Sequence, residues 1–358
     1  LNSAKILLLL PYPLHTAPSQ RFRIEAYFPL MHQHGIVIKA QPFFNEKAWS
    51  RLYKPGYFIS KSLDVGKGFI KRLWAVIFLV HKYDFVLVHR EASPIGPPIF
   101  EWIVTKIWRK KLVFDFDDAI WIPAISEQNK IANSIKCFWK TKWICKWAYK
   151  VAAGNNYLAN YASQFNANVT ILPTSVDTQN RYRTLVNQSI FKPAIGWTGS
   201  HSTMKYLDLV IPFLRQLEKE KEFDFYVISN KEPKFELQSL KFIKWTEETE
   251  IEDLSKINIG LMPLEADRWS EGKCGFKIIQ YLALGIPAVA SPVGVNAKII
   301  ENNQNGYLCQ NENEWYQSIS LLLDDRYLRK EMGRKGREKI IREYSIHVNA
   351  DLFLELFK

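Results

Sequence analysis

Apolar positions in this chain fall into two alternating kinds of run. Short, nearly continuous stretches such as KILLLL (Lys5–Leu10), FVLVHR (Phe85–Arg90) and KLVFDF (Lys111–Phe116) read as strands buried on both faces. Between them lie longer stretches at helical spacing: one from Arg23, one through IKRLWAVIFLV (Ile70–Val80) and one over PPIFEWIVTKIWRK (Pro97–Lys110). After the polar, turn-rich ILPTSVDTQNRYRTL (Ile171–Leu185) the alternation restarts with KPAIGWTG, a helix from Thr203, FDFYVIS, KFIKW, INIGLMP, a helix from Gly275, IPAVAS and GYLC. This predicts an α/β protein of two Rossmann-like domains, each a parallel sheet covered by helices. Parallel sheets bind ligands beyond the carboxyl ends of their strands. Two such domains facing each other across a cleft would line it with PYPLHTAPSQRFR, HREASPIG, DFDDAIW, AAGNN, GWTGSHSTMK and LEADRWSEGKCGF.

Length agrees with two domains, since 358 residues exceed one ordinary core. Charge adds a partner class. The chain carries a formal +12, and no Asp or Glu occurs between Glu127 and Asp177, so the first half has a positive face suited to nucleic acid, an anionic membrane or a phosphorylated substrate. No nucleic-acid-reading motif is present, which argues against the first. Cys137, Cys145, Cys274 and Cys309 lack CxxC pairing and nearby histidines, and read as reduced thiols of a cytosolic protein with no zinc site. The opening apolar run ends at Pro11 and LWAVIFLV (Leu73–Val80) is short of the roughly 20 residues a spanning helix needs, so no membrane span is expected.

One segment combines tryptophan and lysine. In KCFWKTKWICKWAYK (Lys136–Lys150), a helix would align Trp139, Trp143 and Trp147 with Lys136, Lys140, Lys146 and Lys150 on one side, leaving Cys137, Ile144 and Ala148 to face a sheet. Lysine and indole belong together at an acidic headgroup boundary. The alternative is packing of the indoles on a neighbouring helix, with the lysine stems lying along it to reach water.

Candidate chemistry gathers in SEGKCGFKIIQYLALGIPAVAS. Gly275 precedes a helix beginning with Phe276, Lys277 and Gln280, and Lys273 and Lys277 flank its start, an arrangement suited to a diphosphate. The plainer reading is a helix start with two solvated lysines. Asp115, Asp117 and Asp118 end a strand; their spacing admits a metal, a carboxylate orienting an acceptor hydroxyl at Asp117 or Asp118, or a helix cap. His15, His89 and His201 fall in loops and read as packing or capping groups. No Ser-His-Asp, Cys-His or P-loop pattern is visible.

FKIIQYLALGIPAVAS resembles the donor-binding signature of retaining glycosyltransferases of the two-Rossmann-domain (GT-B) type, specifically the large family 4 of bacterial sugar transferases. ILPTSVD resembles its interdomain linker, GWTGSHSTMK its second-domain glycine loop, and DFDDAIW and AGNNYLANYA first-domain segments. The resemblance implies a first domain of residues 1–173 with 343–358, and a second of 174–342. It implies metal-independent transfer, so no metal ligands are assigned. The family's two glutamates fall on Gly272 and Gln280, with Glu271 one residue off; an amide at Gln280 can still bind ribose hydroxyls. The family's arginine falls on Ser200, close after Gly199, whereas Lys205 matches its paired lysine and Lys277 a variant signature. The resemblance thus places the diphosphate among Lys205, Lys273 and Lys277, with Arg21 facing it from the first domain, and assigns the acceptor side to Asp117 and Asp118.

The expectation is a cytosolic enzyme, peripherally bound at the inner face of the cell membrane. It would move a hexose-type residue from a UDP- or GDP-sugar to a lipid-linked or saccharide acceptor, without a permanently bound cofactor and without nucleic acid. An epimerase of the same architecture, or an inactive basic binding protein on a transferase scaffold, are the rival readings.

Overall fold

The computed structural model describes residues 4–52, 54, 56–123 and 135–358. They divide into two units, Leu1–Thr174 with Asn349–Lys358, and Ser175–Val348. In the first unit the order is β1 (Lys5–Leu10), α1 (Pro18–Arg23), α2 (Phe28–Gln33), β2 (Val37–Pro42), α3 (Glu46–Leu52), α4 (Phe58–Phe78) and β3 (Phe85–His89). Then follow α5 (Ile99–Trp102) with a π turn (Ile103–Ile107), β4 (Lys111–Phe116), α6 (Lys140–Trp147), β5 (Lys150–Ala153), α7 (Asn156–Ser163) and β6 (Val169–Ile171). The strands form one parallel sheet in the order β2-β1-β3-β4-β5-β6. The leucines of β1 are fully buried because β2 and β3 flank the strand on both sides and helices cover the sheet.

The second unit repeats the pattern. It holds β7 (Ala194–Gly199), a 3-10 turn (Met204–Leu209), α8 (Ile211–Leu217), β8 (Asp224–Ser229), β9 (Leu240–Lys244), α9 (Glu250–Leu254) and β10 (Ile259–Met262). After these come α10 (Phe276–Ala283), β11 (Ala288–Ala290), α11 (Asn296–Ile299), β12 (Gly306–Leu308), α12 (Glu312–Asp324) and α13 (Arg326–Glu343). Its parallel sheet runs β12-β11-β10-β7-β8-β9. Trp197, Leu261 and Val289 build its core with Phe213 and Trp315, whose rings stack at 5.9 Å. Two Rossmann-like sheets are therefore present, as the alternation predicts. In each, strand order reverses once, between β1 and β3 and between β7 and β10, which marks the ligand-binding positions of such sheets.

The chain ends in the first unit with α14 (Ala350–Glu355). Phe353 stacks on Tyr27 at 4.1 Å, and the Lys150 ammonium donates to the Glu355 carbonyl at 2.5 Å. Lys150 thus belongs to a strand, and the tryptophan helix stops at Trp147.

In the second unit, α13 approaches the turn after α10 so closely that a Cβ at Gly333 would lie 2.0 Å from the Gly285 carbonyl oxygen. Backbone flanks both sides, so neither can yield cheaply. Gly333→Ala should cost about 1–3 kcal/mol through overpacking, lowering the melting temperature by several degrees in a thermal scan, whereas Gly66→Ala, with open space around it, should not.

Candidate functional site

At the carboxyl edge of the first sheet, buried charge fixes the loops. Arg23 on α1 lies against Asp115 at the end of β4, its Nε donating at 3.0 Å to both carboxylate oxygens and its Nη2 at 2.5 Å, while Nη1 donates to the Leu172 carbonyl. Asp115 also accepts from His89 Nδ1 at 2.7 Å, and His89 Nε2 meets the Ser19 hydroxyl at 2.8 Å. Burial alone would raise the Asp115 carboxyl, but Arg23 and His89 outweigh it and hold it below its ordinary value. With the Nδ1 hydrogen committed to a carboxylate, a neutral His89 ring turns its Nε2 lone pair to the Ser19 O–H. Ser19, His89 and Asp115 therefore stand in one line, a Ser-His-Asp contact that the sequence did not reveal. Its carboxylate is already neutralised by Arg23, which weakens the support it could lend an imidazolium.

Beyond that line sits a second charged group. Arg90, in left-handed backbone at φ 61° just after β3, donates from Nη1 to Asp117 at 3.2 Å and to Asp118 at 2.8 Å. Burial opposes its charge, yet Asp118, Tyr12 and Asp117 together keep the guanidinium well above its ordinary value. The Lys136 ammonium belongs to the same neighbourhood: burial lowers it and Glu91 partly restores it. Lys140 is buried too, ion-paired to Glu91 at 2.8 Å and donating to the Ser93 carbonyl. Two lysines expected beside the tryptophans thus turn inward to this cluster.

At the carboxyl edge of the second sheet, glycine replaces buried charge. Gly275 caps α10 at φ 66°, a left-handed conformation in which an added Cβ would also lie 2.2 Å from Ile299. Lys277, in the first turn, reaches across the end of β7: its ammonium lies 5.4 Å from the Trp197 ring centroid, and a Cβ at Gly199 would meet its Cε at 3.0 Å. Lys205 rests over Tyr206 at 5.0 Å and Lys273 over Trp269 at 4.9 Å. A hydrogen bond of 3.3 Å between the Tyr206 and Ser270 hydroxyls ties these two segments together, and the Tyr281 hydroxyl accepts from Thr198 N at 3.0 Å beneath them.

Gly199, Lys205, Lys273, Gly275 and Lys277 are therefore gathered where the strand order reverses; Ser200 is exposed beside them and Phe276 half-buried. Gln280 is enclosed at 2% exposure, its amide donating to the Tyr182 hydroxyl at 2.8 Å. Arg21 is buried, its guanidinium 5.1 Å from the Phe22 ring. Sequence reading missed Arg23, Arg90, Tyr182 and Tyr206. Arg23 and Asp115 are 92 residues apart and no local pattern joins them. Among the described residues, no three His, Cys, Asp or Glu side chains are grouped to hold a metal, and Asp115 is committed to Arg23 and His89. A depression of about 380 Å³ bounded by Arg215, Glu218 and Glu236 lies at the opposite, amino edge of the second sheet, away from these groups.

Residues 192–325, all within the second unit, match the sequence model of the family described as glycosyl transferases group 1. No curated protein matches the chain. The whole fold is similar to solved structures. Sucrose-phosphate synthase from Thermosynechococcus elongatus superposes with a TM-score of 0.70 at 12% identity, over 99% of this chain and 98% of that one. Anabaena Alr3699/HepE, in complex with UDP and glucose, gives 0.68 at 14% identity over 99% of both chains. A glycosyltransferase from Rickettsia africae gives 0.67 at 16% identity, over 100% of this chain and 98% of that one. The two-Rossmann-domain (GT-B type) fold is borne out, and over residues 192–325 so is the resemblance to group 1 glycosyltransferases.

Because the folded state depresses the Asp115 carboxyl, its contribution to stability is full above the unfolded value of about 3.9 and is lost as pH falls through the lower folded value. Asp115→Asn should cost about 3–5 kcal/mol at neutral pH by stranding Arg23. Urea denaturation should show the variant losing less further stability than the parent between neutral and strongly acid pH.

Proposed function

We propose that the chain is a retaining glycosyltransferase that moves a hexose-type residue from a nucleoside diphosphate sugar, with UDP or GDP as leaving group, to a lipid-linked or saccharide acceptor. The observation that carries this reading is the gathering of Lys205, Lys273, Lys277 and the Gly275-capped start of α10 at the switch between β7 and β10. The complex of Alr3699/HepE with UDP and glucose, on the same fold, supports it.

In the proposed step, the bond from the sugar C1 to the β-phosphate oxygen breaks as an acceptor oxygen bonds to C1 on the same face. The acceptor proton passes to the departing phosphate oxygen, so the products are a glycoside and the nucleoside diphosphate. The developing negative charge is met by the three lysines and the helix start, which is where electrostatic catalysis has most to contribute. Asp117 and Asp118, held by Arg90, orient the acceptor hydroxyl. Gln280 hydrogen-bonds the ribose once its bond to Tyr182 opens. No metal takes part. The enzyme works at the inner face of the cell membrane, with Trp139 and Trp143, both exposed, toward the lipid.

Calorimetry with UDP and GDP tests the donor site. Lys277→Ala should weaken the nucleotide that binds about tenfold or more, since a charge-assisted hydrogen bond contributes about 1.5–3 kcal/mol; a chain that binds neither nucleotide sinks the reading.

Transfer should also persist in EDTA. Activity abolished by the chelator and restored by manganese would assign a metal to the reaction and overturn that part of the proposal.

A further inference from the structure

Helix α4 is apolar on two sides, and only one is used. Toward the sheet it buries Gly68, Arg72, Ala75 and Val76. On the outward side Ile59, Leu63, Ile70, Trp74 and Ile77 form a seam at helical spacing, interrupted at Gly66, with Ile59 76% and Ile70 71% exposed. Along this 21-residue helix the seam, from Ile59 to Ile77, extends about 27 Å. An apolar stripe opposite the buried one, left open to water, implies a cover.

The neighbouring helices continue the surface. α5 packs against α4, with Phe100 5.8 Å from Phe69, and against α6. Outward from α5 and its π turn stand Trp102 and Ile107; outward from α6 stand Trp139 and Trp143. Lys67, Lys71, Lys106, Lys142 and Lys146 are exposed among them. Carboxylates are withheld: Asp64 is ion-paired to Arg51 at 3.5 Å, Glu101 is buried, and α6 has none.

We infer that the outward face of α4, α5 and α6 docks on an anionic bilayer surface, with α4 lying in the interface. This deepens the membrane-side reading proposed above and rests on it for its purpose. Long aliphatic and indole side chains set among lysines, without exposed carboxylates, complement an acyl boundary beneath acidic headgroups. A second copy of the chain is a poorer occupant, because a two-fold contact would set these lysines against their own equivalents. Lys136 and Lys140 take no part, being turned to Glu91; α4 supplies most of the insertion.

The full chain is floated with vesicles of phosphatidylcholine alone and of phosphatidylcholine with phosphatidylglycerol, and the same preparations are melted with and without UDP and GDP. Binding should require phosphatidylglycerol, weaken with salt as charges are screened, and shift tryptophan emission to the blue. Ile59→Asp with Ile70→Asp should reduce vesicle binding at least tenfold at unchanged melting temperature. Lys67→Glu with Lys71→Glu should reduce it while altering no apolar contact. Undiminished binding in both double variants, or a stable dimer that Ile70→Asp dissociates, overturns the docking face. Vesicle binding as expected without nucleotide stabilisation upholds this face and sinks the transferase reading; stabilisation by nucleotide without vesicle binding does the reverse.

Discussion

A buried guanidinium holds the first unit's working edge together. Parallel strands all release their chain at one edge, where backbone carbonyls and polar loops crowd with little water. Arg23 answers this by spanning the ends of three segments: its own helix after β1, Asp115 at the end of β4, and the Leu172 carbonyl just after β6. Breaking such a pair strands a charge, so the geometry is enforced from both sides. Arg72 repeats the device, donating to the carbonyls of Leu10, Gln41 and Ala92 and so joining the ends of β1 and β2 to the loop after β3. Burial pushes that guanidinium down to about 9 against the pull of Glu101. With the interior so fixed, Arg90, Asp117 and Asp118 stand at the rim with their orientation already set.

The second unit solves the same problem by subtraction. Gly196 admits Ile257 and Gly260 admits Tyr281, each where an added Cβ would lie 2.3 Å from the side chain, so the sheet edge can carry a tyrosine whose hydroxyl reaches the strand backbone. Gly199 leaves room for Trp197 and Lys277. At this edge charge is delivered at the surface by lysines, while the unit's buried guanidinium, Arg329, is spent on the carbonyls of Leu322, Leu323 and Gln188. One sheet edge is stiffened by ion pairs and the other by close backbone approach, which matches a rigid carboxylate group in the first and adaptable cations in the second.

The sheets were legible because burial on both faces forces continuous apolar runs, as in β1 and β3, and because glycine and lysine around Gly275 sit within one short segment. Long-range partnerships were not. Ser19 and His89 are 70 residues apart and His89 and Asp115 are 26, so only folding brings them into line. Gln280 is expected to meet ribose hydroxyls by its place in the motif, yet its amide is spent on Tyr182, 98 residues away. Helical periodicity aligned Lys140 with the tryptophans but could not register Glu91, which draws it inside. The same limit hid α4: periodicity detects an apolar stripe, whereas two stripes on one helix read as ordinary burial until exposure separates them.

The lysines of the second unit illustrate how weak contacts prepare strong ones. Lys205, Lys273 and Lys277 each rest over an aromatic ring, at 5.0, 4.9 and 5.4 Å. An exposed cation–π contact contributes about 0.5–1 kcal/mol, less than the about 1.5–3 kcal/mol of a charge-assisted hydrogen bond to phosphate. A diphosphate under the proposed reading therefore draws each lysine off or along its ring at a net gain, and a side chain already confined by the ring has less rotamer freedom left to lose. Tyr206 and Trp269 thus act on affinity through the lysines they hold, and Trp197, buried beneath Lys277, fixes where that ammonium can go.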